Sequence, residues 1–262
     1  MHRRMGFGIL GVVCLGVLLF AAWHAHQQTR RADNITTSRG QLRTAGLADR
    51  SQIALNTESS VSVEIKAHSR IAQLKRGEAI FRVNSKDPRL FLLYSDDIVV
   101  STKDAVFSAR RLHSNALLVR VLSGSVLARE TVFNWWQQPF QLEARLGAGN
   151  GYDIDDGNLT IRPFPRVSVE CAWAWEQGEL CLDDQPLAAA LEEINRYTSR
   201  RVVMADPSLA TLRVGGRFQI ATLLPDFAEA LHKTFGIQAV TQDDTILLLP
   251  APHLFPKSTP MT

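Results

Sequence analysis

Residues 6–23 read GFGILGVVCLGVLLFAAW, eighteen residues without a charge. No other feature limits the fold as much, because a run of this kind predicts a membrane-spanning helix. At about 1.5 Å of rise per residue it covers roughly 27 Å, close to the thickness of a bilayer core. Trp23 stands at its outer end, where an amphipathic ring prefers the interface. Arg3 and Arg4 precede the run, and Arg30 and Arg31 follow several residues after it. The nearer positive cluster places the N-terminus inside. A cleaved leader would need a small-x-small site. Phe20-Ala21-Ala22 and Trp23-His24-Ala25 both put a bulky residue where a small one is required. Cys14 follows Val12-Val13, a poor lipoprotein box. The run is therefore read as an uncleaved anchor, with a stub at 1–5, a span at 6–23 and a polar linker at 24–34.

Beyond the linker the hydrophobic period is two. Val61-Ser62-Val63-Glu64-Ile65-Lys66 alternates as a half-buried strand does. Ala79-Ile80-Phe81-Arg82-Val83, the stretch 117–121 and Val126-Leu127-Ala128 are further strand candidates. Turn signals separate them at Asp49-Arg50-Ser51, Arg76-Gly77, Asp87-Pro88, Asp96-Asp97 and Ser123-Gly124-Ser125. Short strands at this spacing predict an all-β sandwich or barrel-like domain over 35–165. Pro163 and Pro165 mark its end, since neither helix nor central strand tolerates them.

The pattern changes over 170–250. Leu180-Cys181-Leu182 reads as a strand, Asp184 as an N-cap and Pro186 as a first-turn residue. Leu187, Ala190, Leu191 and Ile194 lie on one helix face. Arg201-Val202-Val203-Met204 is the next strand. The unit then repeats: a strand over 212–218, a helix capped by Thr222 with Leu224, Phe227, Ala228 and Leu231 inward, Gly236 at its end, and a hairpin turning at Gln242-Asp243-Asp244. Two β-α-β units predict a small α/β sandwich whose helices share one sheet. The tail at 251–262, with three prolines, reads as loose.

The net charge of +3 is spread over scattered arginine pairs rather than gathered in a stripe, which argues against a direct nucleic-acid surface. The paired acids Asp96-Asp97, Asp155-Asp156, Asp183-Asp184 and Asp243-Asp244 sit where turns are expected, as the local hydrogen bonding of Asp favours. Neither a nucleophile elbow nor a phosphate loop occurs. His24 and His26 either clip a metal or are interfacial polar residues, and the second is preferred. No catalytic, cofactor-binding or metal-binding residue is assigned. Cys171 and Cys181 either pair in an oxidising compartment or remain buried free thiols. Trp135-Trp136 and the pair Trp173 and Trp175 either anchor a partner or fill cores and domain junctions.

Several motifs in order resemble one family. Gly40-Gln41-Leu42, then Leu47-Ala48-Asp49-Arg50-Ser51-Gln52-Ile53-Ala54-Leu55-Asn56 and Ser59-Ser60-Val61, resemble the opening of the FecR domain. Leu74-Lys75-Arg76-Gly77-Glu78-Ala79-Ile80-Phe81-Arg82-Val83 is similar to its L-x-x-G-E-A-x-F-x-V. Val119-Arg120-Val121-Leu122-Ser123-Gly124-Ser125-Val126 is similar to its V-x-V-x-x-G-x-V. Ala174-Trp175-Glu176-Gln177-Gly178-Glu179-Leu180, with Asp184-Gln185-Pro186-Leu187, resembles the opening of the family's C-terminal part, which is similar to the secretin/TonB short N-terminal fold. Two positions depart from the pattern: Arg50 replaces the turn glycine, and Lys103-Asp104-Ala105-Val106-Phe107 stands where A-x-G-T-x-F is usual.

The resemblance implies a structural role for Asp49, Leu55, Asn56, Gly77, Glu78, Phe81, Gly124, Trp175, Gly178, Pro186 and Leu187. It also implies an inner-membrane protein facing the periplasm. Such a protein binds the signalling domain of a TonB-dependent outer-membrane transducer, often for iron complexes, and regulates an extracytoplasmic-function sigma factor. Only residues 1–5 precede the apolar run, so the sigma-factor contact is expected through a separate or missing cytoplasmic domain. The partner surface is expected at Arg213, Val214, Gly215 and Arg217, whose strand edge would accept another strand. There the glycines permit close backbone approach and the arginines meet an acidic partner; alternatively the glycines only turn the chain between strand and helix. The competing role is a structural or assembly factor of a secretin or pilus system. A periplasm-specific reporter fused after Thr262 should be active. Activity of a cytoplasm-specific reporter at that point would reverse the topology, and loss of residues 1–22 by mass spectrometry would remove the anchor.

Overall fold

Alternating apolar residues dominate the first half of the chain, and the computed structural model turns them into strands. It describes residues 33–132, 140–155, 158–163 and 166–250. The expected stub, anchor and tail, the linker up to residue 32, Cys14, His24, His26 and Trp135-Trp136 lie outside the described residues. Among the described residues, no helix is long and apolar enough to cross a membrane.

The strands of the first part are β1 (Asp33–Thr36), β2 (Arg43–Gly46), β3 (Gln52–Leu55), β4 (Ser60–Ile65), β5 (Ser69–Arg76), β6 (Glu78–Arg82) and β7 (Leu90–Ser95). They continue as β8 (Ile98–Thr102), β9 (Ala105–His113), β10 (Ala116–Val132), β11 (Phe140–Gly147), β12 (Asn150–Asp155) and β13 (Asn158–Pro163). The main path through the sheet runs β1-β4-β5-β7-β8-β10-β9-β6-β3-β2. One core lies inside, with Val61, Leu74, Phe91 and Val100 from one half and Leu55, Phe81, Phe107 and Val119 from the other. Phe81 stacks on Phe107 at 5.2 Å between ring centres.

The two halves share β10. Its later residues pair with β8 and β11, and its earlier ones with β9 and β12. Residues 117–121 and 126–128, expected as separate strands, belong to this one strand of 17 residues. Ser123-Gly124-Ser125 is not a turn. The register against β9 shifts between Val121 and Ser123, and Gly124 sits at φ 74°. A bulge lets a strand bend without ending, so one strand serves both halves.

Gly77 separates β5 from β6 at φ 79°. A Cβ there would stand 2.3 Å from Ser59 Oγ and 2.7 Å from Ser59 Cα, so both conformation and space demand glycine. Arg50 holds φ 68° in the β2–β3 turn, the conformation that suits a turn glycine.

The second part holds α1 (Arg166–Trp173), β14 (Glu179–Pro186), α2 (Leu187–Tyr197), β15 (Arg201–Met204), β16 (Arg213–Gln219), α3 (Leu223–Phe235), β17 (Gln238–Gln242) and β18 (Thr245–Leu249). Its strands do not form one sheet. β14 pairs antiparallel with β16, and separately β15 runs parallel to β18, which pairs with β17. The two sequence repeats therefore split: the strands on either side of α2, and of α3, lie in different sheets. α2 and α3 each pack on strands from both sheets, which is why one apolar stripe per helix suffices.

Leu187, Ala190, Leu191 and Ile194 are buried as their spacing predicts. On α3 the buried residues are Leu223, Phe227 and Leu231, with Leu224 and Ala228 half-buried. Asp184 does not cap α2. Pro186 holds the N-cap position, because pairing of Pro186 with Arg213 keeps the chain extended that far. Asp184 sits instead at φ 39°, in an irregularity of β14 between Leu182 and Gln185. Cys171 and Cys181 are disulfide-bonded with Cα atoms 5.0 Å apart, so they are not free thiols. Trp173 and Trp175 are buried in the second core.

Gly77→Val should lower the melting temperature by about 4 °C or more, since left-handed backbone alone costs roughly 1–2 kcal/mol outside glycine. Arg50→Gly should raise it by about 1–3 °C. Differential scanning calorimetry of the purified chain measures both, and equal melting curves would refute the turn assignments.

Candidate functional site

β3 and β6 bury both faces. Leu55 and Phe81 point into the first core. Ala54 and Ile80 belong to the second core, together with Leu187, Ile194 and Trp175. The outer face of this strand pair is thus the floor on which the α/β part rests.

A polar network borders that contact. Asn56, fully buried, donates from Nδ2 to Glu78 Oε2 at 2.9 Å and to the Tyr197 hydroxyl at 2.8 Å. Its Oδ1 accepts from the Thr57 amide at 2.7 Å. Thr57 Oγ1 donates to the Arg196 carbonyl at 3.0 Å and accepts from the Gly40 amide at 2.8 Å. The Arg196 guanidinium reaches Glu78 at 3.2 Å and Glu193 at 2.5 Å. Arg110 on β9 binds the other Glu193 oxygen at 2.8 Å. Arg82 and Glu176 form a second bridge through two hydrogen bonds of 2.7 and 2.5 Å.

The charges settle one another. Burial alone would push the Glu193 carboxyl up, but Arg196 and Arg110 overcome this and hold it below its ordinary value. Burial, then Glu78 and Glu193, push the Tyr197 phenol up, so it stays protonated. Burial works against the Arg196 cation, and the Glu193 and Glu78 charges more than restore it. A buried charge that loses its partner is costly, more so than the pair is worth. The network therefore fixes the orientation of the two parts. Beside it opens a cleft of about 400 Å³ lined by Glu78, Arg110, Trp175, Glu193 and the disulfide.

A second buried ion pair holds the β domain. Asp49 accepts from the Ser51 amide and hydroxyl at 3.0 and 2.6 Å. It also pairs with Arg70 at 3.1 Å, both side chains being 0% exposed. Arg70 donates further to the carbonyls of Asn84 and Arg89 at 3.0 and 2.6 Å and lies over the Phe91 ring.

The expected residues thus separate into groups. Asn56 and Glu78 meet at the junction, and Trp175 and Leu187 join the core above it. Asp49, Leu55, Phe81 and Gly124 build the β domain. Gly178, at φ 79°, ends the short 3-10 turn Ala174–Gln177. Arg213, Val214, Gly215, Arg217 and Pro186 lie on the β14–β16 pair and make none of the network's hydrogen bonds described above. Val214 is buried. Arg213 pairs with Asp184 at 3.1 Å and Arg217 with Glu179 at 3.4 Å, both arginines remaining about half exposed. Gly215 does not turn the chain: a Cβ there would stand 3.2 Å from the Asp184 amide, so it admits the β14 irregularity. Among the described residues, no strand pairs with the second edge of β16.

Arg70, Arg110, Glu193, Arg196 and Tyr197 were not identifiable as a set. Ala54 and Ile80 did carry a signal. Ile53-Ala54-Leu55 and Ala79-Ile80-Phe81 are unbroken apolar runs, and such strands are covered on both faces.

Because the Glu193 carboxyl is lowered, its contribution to stability is present above its ordinary 4.5 and is lost as pH falls below that through the native value. Glu193→Gln should cost about 1–3 kcal/mol at pH 7. It should also flatten the loss of stability below pH 4.5. Urea titrations from pH 7 to 3 test this, and parallel pH profiles for the two proteins would refute it.

The comparisons with known proteins bear on the same regions. The family model described as FecR protein matches residues 33–127. Two crystal structures of a proposed anti-sigma factor from Parabacteroides distasonis, at 1.65 and 2.50 Å resolution, share the fold. Their TM-scores are 0.67 and 0.66 at 18% identity, over 84% of this chain and 99% and 100% of theirs. Among curated proteins no sequence matches. The turn at Asp49, the Gly77-Glu78 pair and the β10 bulge at Gly124 all fall within the matched stretch, and residues 33–127 of this chain are a FecR domain.

Proposed function

We propose that the chain is a signal receiver that regulates a sigma factor through protein binding. In this reading residues 6–23 anchor it in the inner membrane, and the β domain at 35–165 and the α/β domain at 170–250 stand in the periplasm. The α/β domain, whose expected likeness is to the secretin/TonB short N-terminal fold, receives the signalling domain of a TonB-dependent outer-membrane transducer. The extracytoplasmic-function sigma factor is reached through a separate or missing cytoplasmic domain. The FecR domain and the shared fold of the proposed anti-sigma factor support a regulatory role.

The observation that carries the reading is the second edge of β16. An unpaired edge offers main-chain donors and acceptors to an incoming strand without dedicated side-chain chemistry. Ile220 donates from its amide to the Gly178 carbonyl. Alternation from that pair along β16 turns the Gln219 and Arg217 amides away from β14. Reversing the charges of Arg213 and Arg217 would also set glutamates against Asp184 and Glu179, so it would disturb the strand pair itself. Proline at 217 introduces no such repulsion: it removes the outward amide and the Arg217–Glu179 pair, and the second loss is shared by alanine.

A photocrosslinker at Gln219, exposed on the same strand, should trap the signalling domain of an outer-membrane receptor in cells. Arg217→Pro should abolish that product and Arg217→Ala should keep it. Capture of a secretin or pilus ring subunit would instead establish the assembly role, and an adduct indifferent to Arg217→Pro would remove β16 as the docking edge.

A further inference from the structure

A different edge has a different chemistry. Among the described residues, β17 is the outer strand of the β15-β18-β17 sheet, and all five of its residues, Gln-Ala-Val-Thr-Gln, are exposed. Val240 is among the exposed large hydrophobic residues, at 37%. The strand carries no charge, proline or bulge, the devices that normally protect an edge. We propose that β17 is a self-association edge, on which β17 of a second copy of this chain pairs antiparallel, centred on Val240.

The register follows from the backbone. The Leu248 carbonyl accepts from the Ala205 amide at 3.0 Å, on the β15 side. Leu248 therefore turns its polar groups away from β17, and its partner across the hairpin, Ala239, turns its own toward the free edge. Thr241 has the same parity. In a pair centred on Val240, Ala239 of each copy lies opposite Thr241 of the other. Both outward N–H and C=O sets then meet, and four hydrogen bonds form.

The side chains suit this register. Gln238 faces Gln242, and Val240 faces its own copy. The acidic turn Asp243-Asp244 falls opposite Gly236-Ile237, so it does not meet itself. The same operation on β16, centred on Gly215, would bring Arg213 against Arg217, a like-charge pair that opposes association. β16 thus suits a different molecule and β17 suits itself. A two-fold strand pair is isologous, and it closes at two copies without leaving a second β17 edge open.

Five residues a side bury far less than the roughly 1,600 Å² of a standard interface, so the contact is weak and best trapped. Val240 would be a non-hydrogen-bonded pair with Cα atoms about 4.5 Å apart, within the disulfide range of about 4.4–6.8 Å. The test uses the purified full chain carrying Cys14→Ser, with Cys171–Cys181 intact. Val240→Cys should form a disulfide-linked dimer about tenfold faster than Leu112→Cys, a comparably exposed position at 47%. Val240→Lys sets two cations opposite each other and should abolish the dimer that glutaraldehyde traps in the unaltered chain. Equal oxidation rates for the two cysteine variants, or a trapped dimer that survives Val240→Lys, would overturn the proposal.

Discussion

The junction hangs on one carboxylate. Glu78 lies at the start of β6, accepts from Asn56 at 2.9 Å and pairs with Arg196 at 3.2 Å. Its own amide is held by Ser59 Oγ at 2.9 Å, and Ser59 lies against Gly77 with no room for a Cβ. The turn glycine, the serine and the acid therefore form one device: the tight turn sets the serine, and the serine sets the acid that faces the second part. A substitution at Gly77 should act on interdomain orientation as well as on the β domain, because the same atoms serve both.

The Arg70–Asp49 pair works differently. It lies within one part and holds loops that the sheet does not reach. Asp49 fixes the β2–β3 turn, and Arg70 gathers the carbonyls of Asn84 and Arg89 beneath it. A fully buried ion pair is weak evidence of net stability, since desolvation offsets most of its attraction. Its use here is specificity, because a guanidinium with several fixed acceptors admits one arrangement of those loops.

Much of this was legible in the residues, and the limits have physical causes. The strands of the β domain follow from period two, and the helix faces from i, i+3, i+4 spacing. The disulfide and the corner at Gly124 did not follow. A Ser-Gly-Ser tripeptide signals a turn by composition, whereas a bulge inside a long strand uses the same residues. The division of the C-terminal strands between two sheets was equally hidden, since local pattern names strands but not their partners. Junction residues were half visible. Asn56 and Glu78 stood in motifs, but Arg196 and Tyr197 end a helix where an arginine and an aromatic residue are commonplace.

One element is reached from both candidate edges. β16 pairs with β14, whose Pro186 leads directly into α2. β17 pairs with β18, and β18 with β15. Asn195 on α2 clasps β15 through both backbone groups of Val202, at 2.9 and 2.7 Å. The next two residues of α2 are Arg196 and Tyr197, which close the junction with Glu78 and Asn56. A strand added at either edge therefore loads the same helix, at opposite ends. Coupling between sites requires an element with two arrangements that both sites bias. At the junction Glu78, Glu193, Arg110 and Arg196 are satisfied together in one arrangement, and parting the two parts would leave those charges to water instead. The last turn of α2 therefore carries both the grip on β15 and the residues that close the junction.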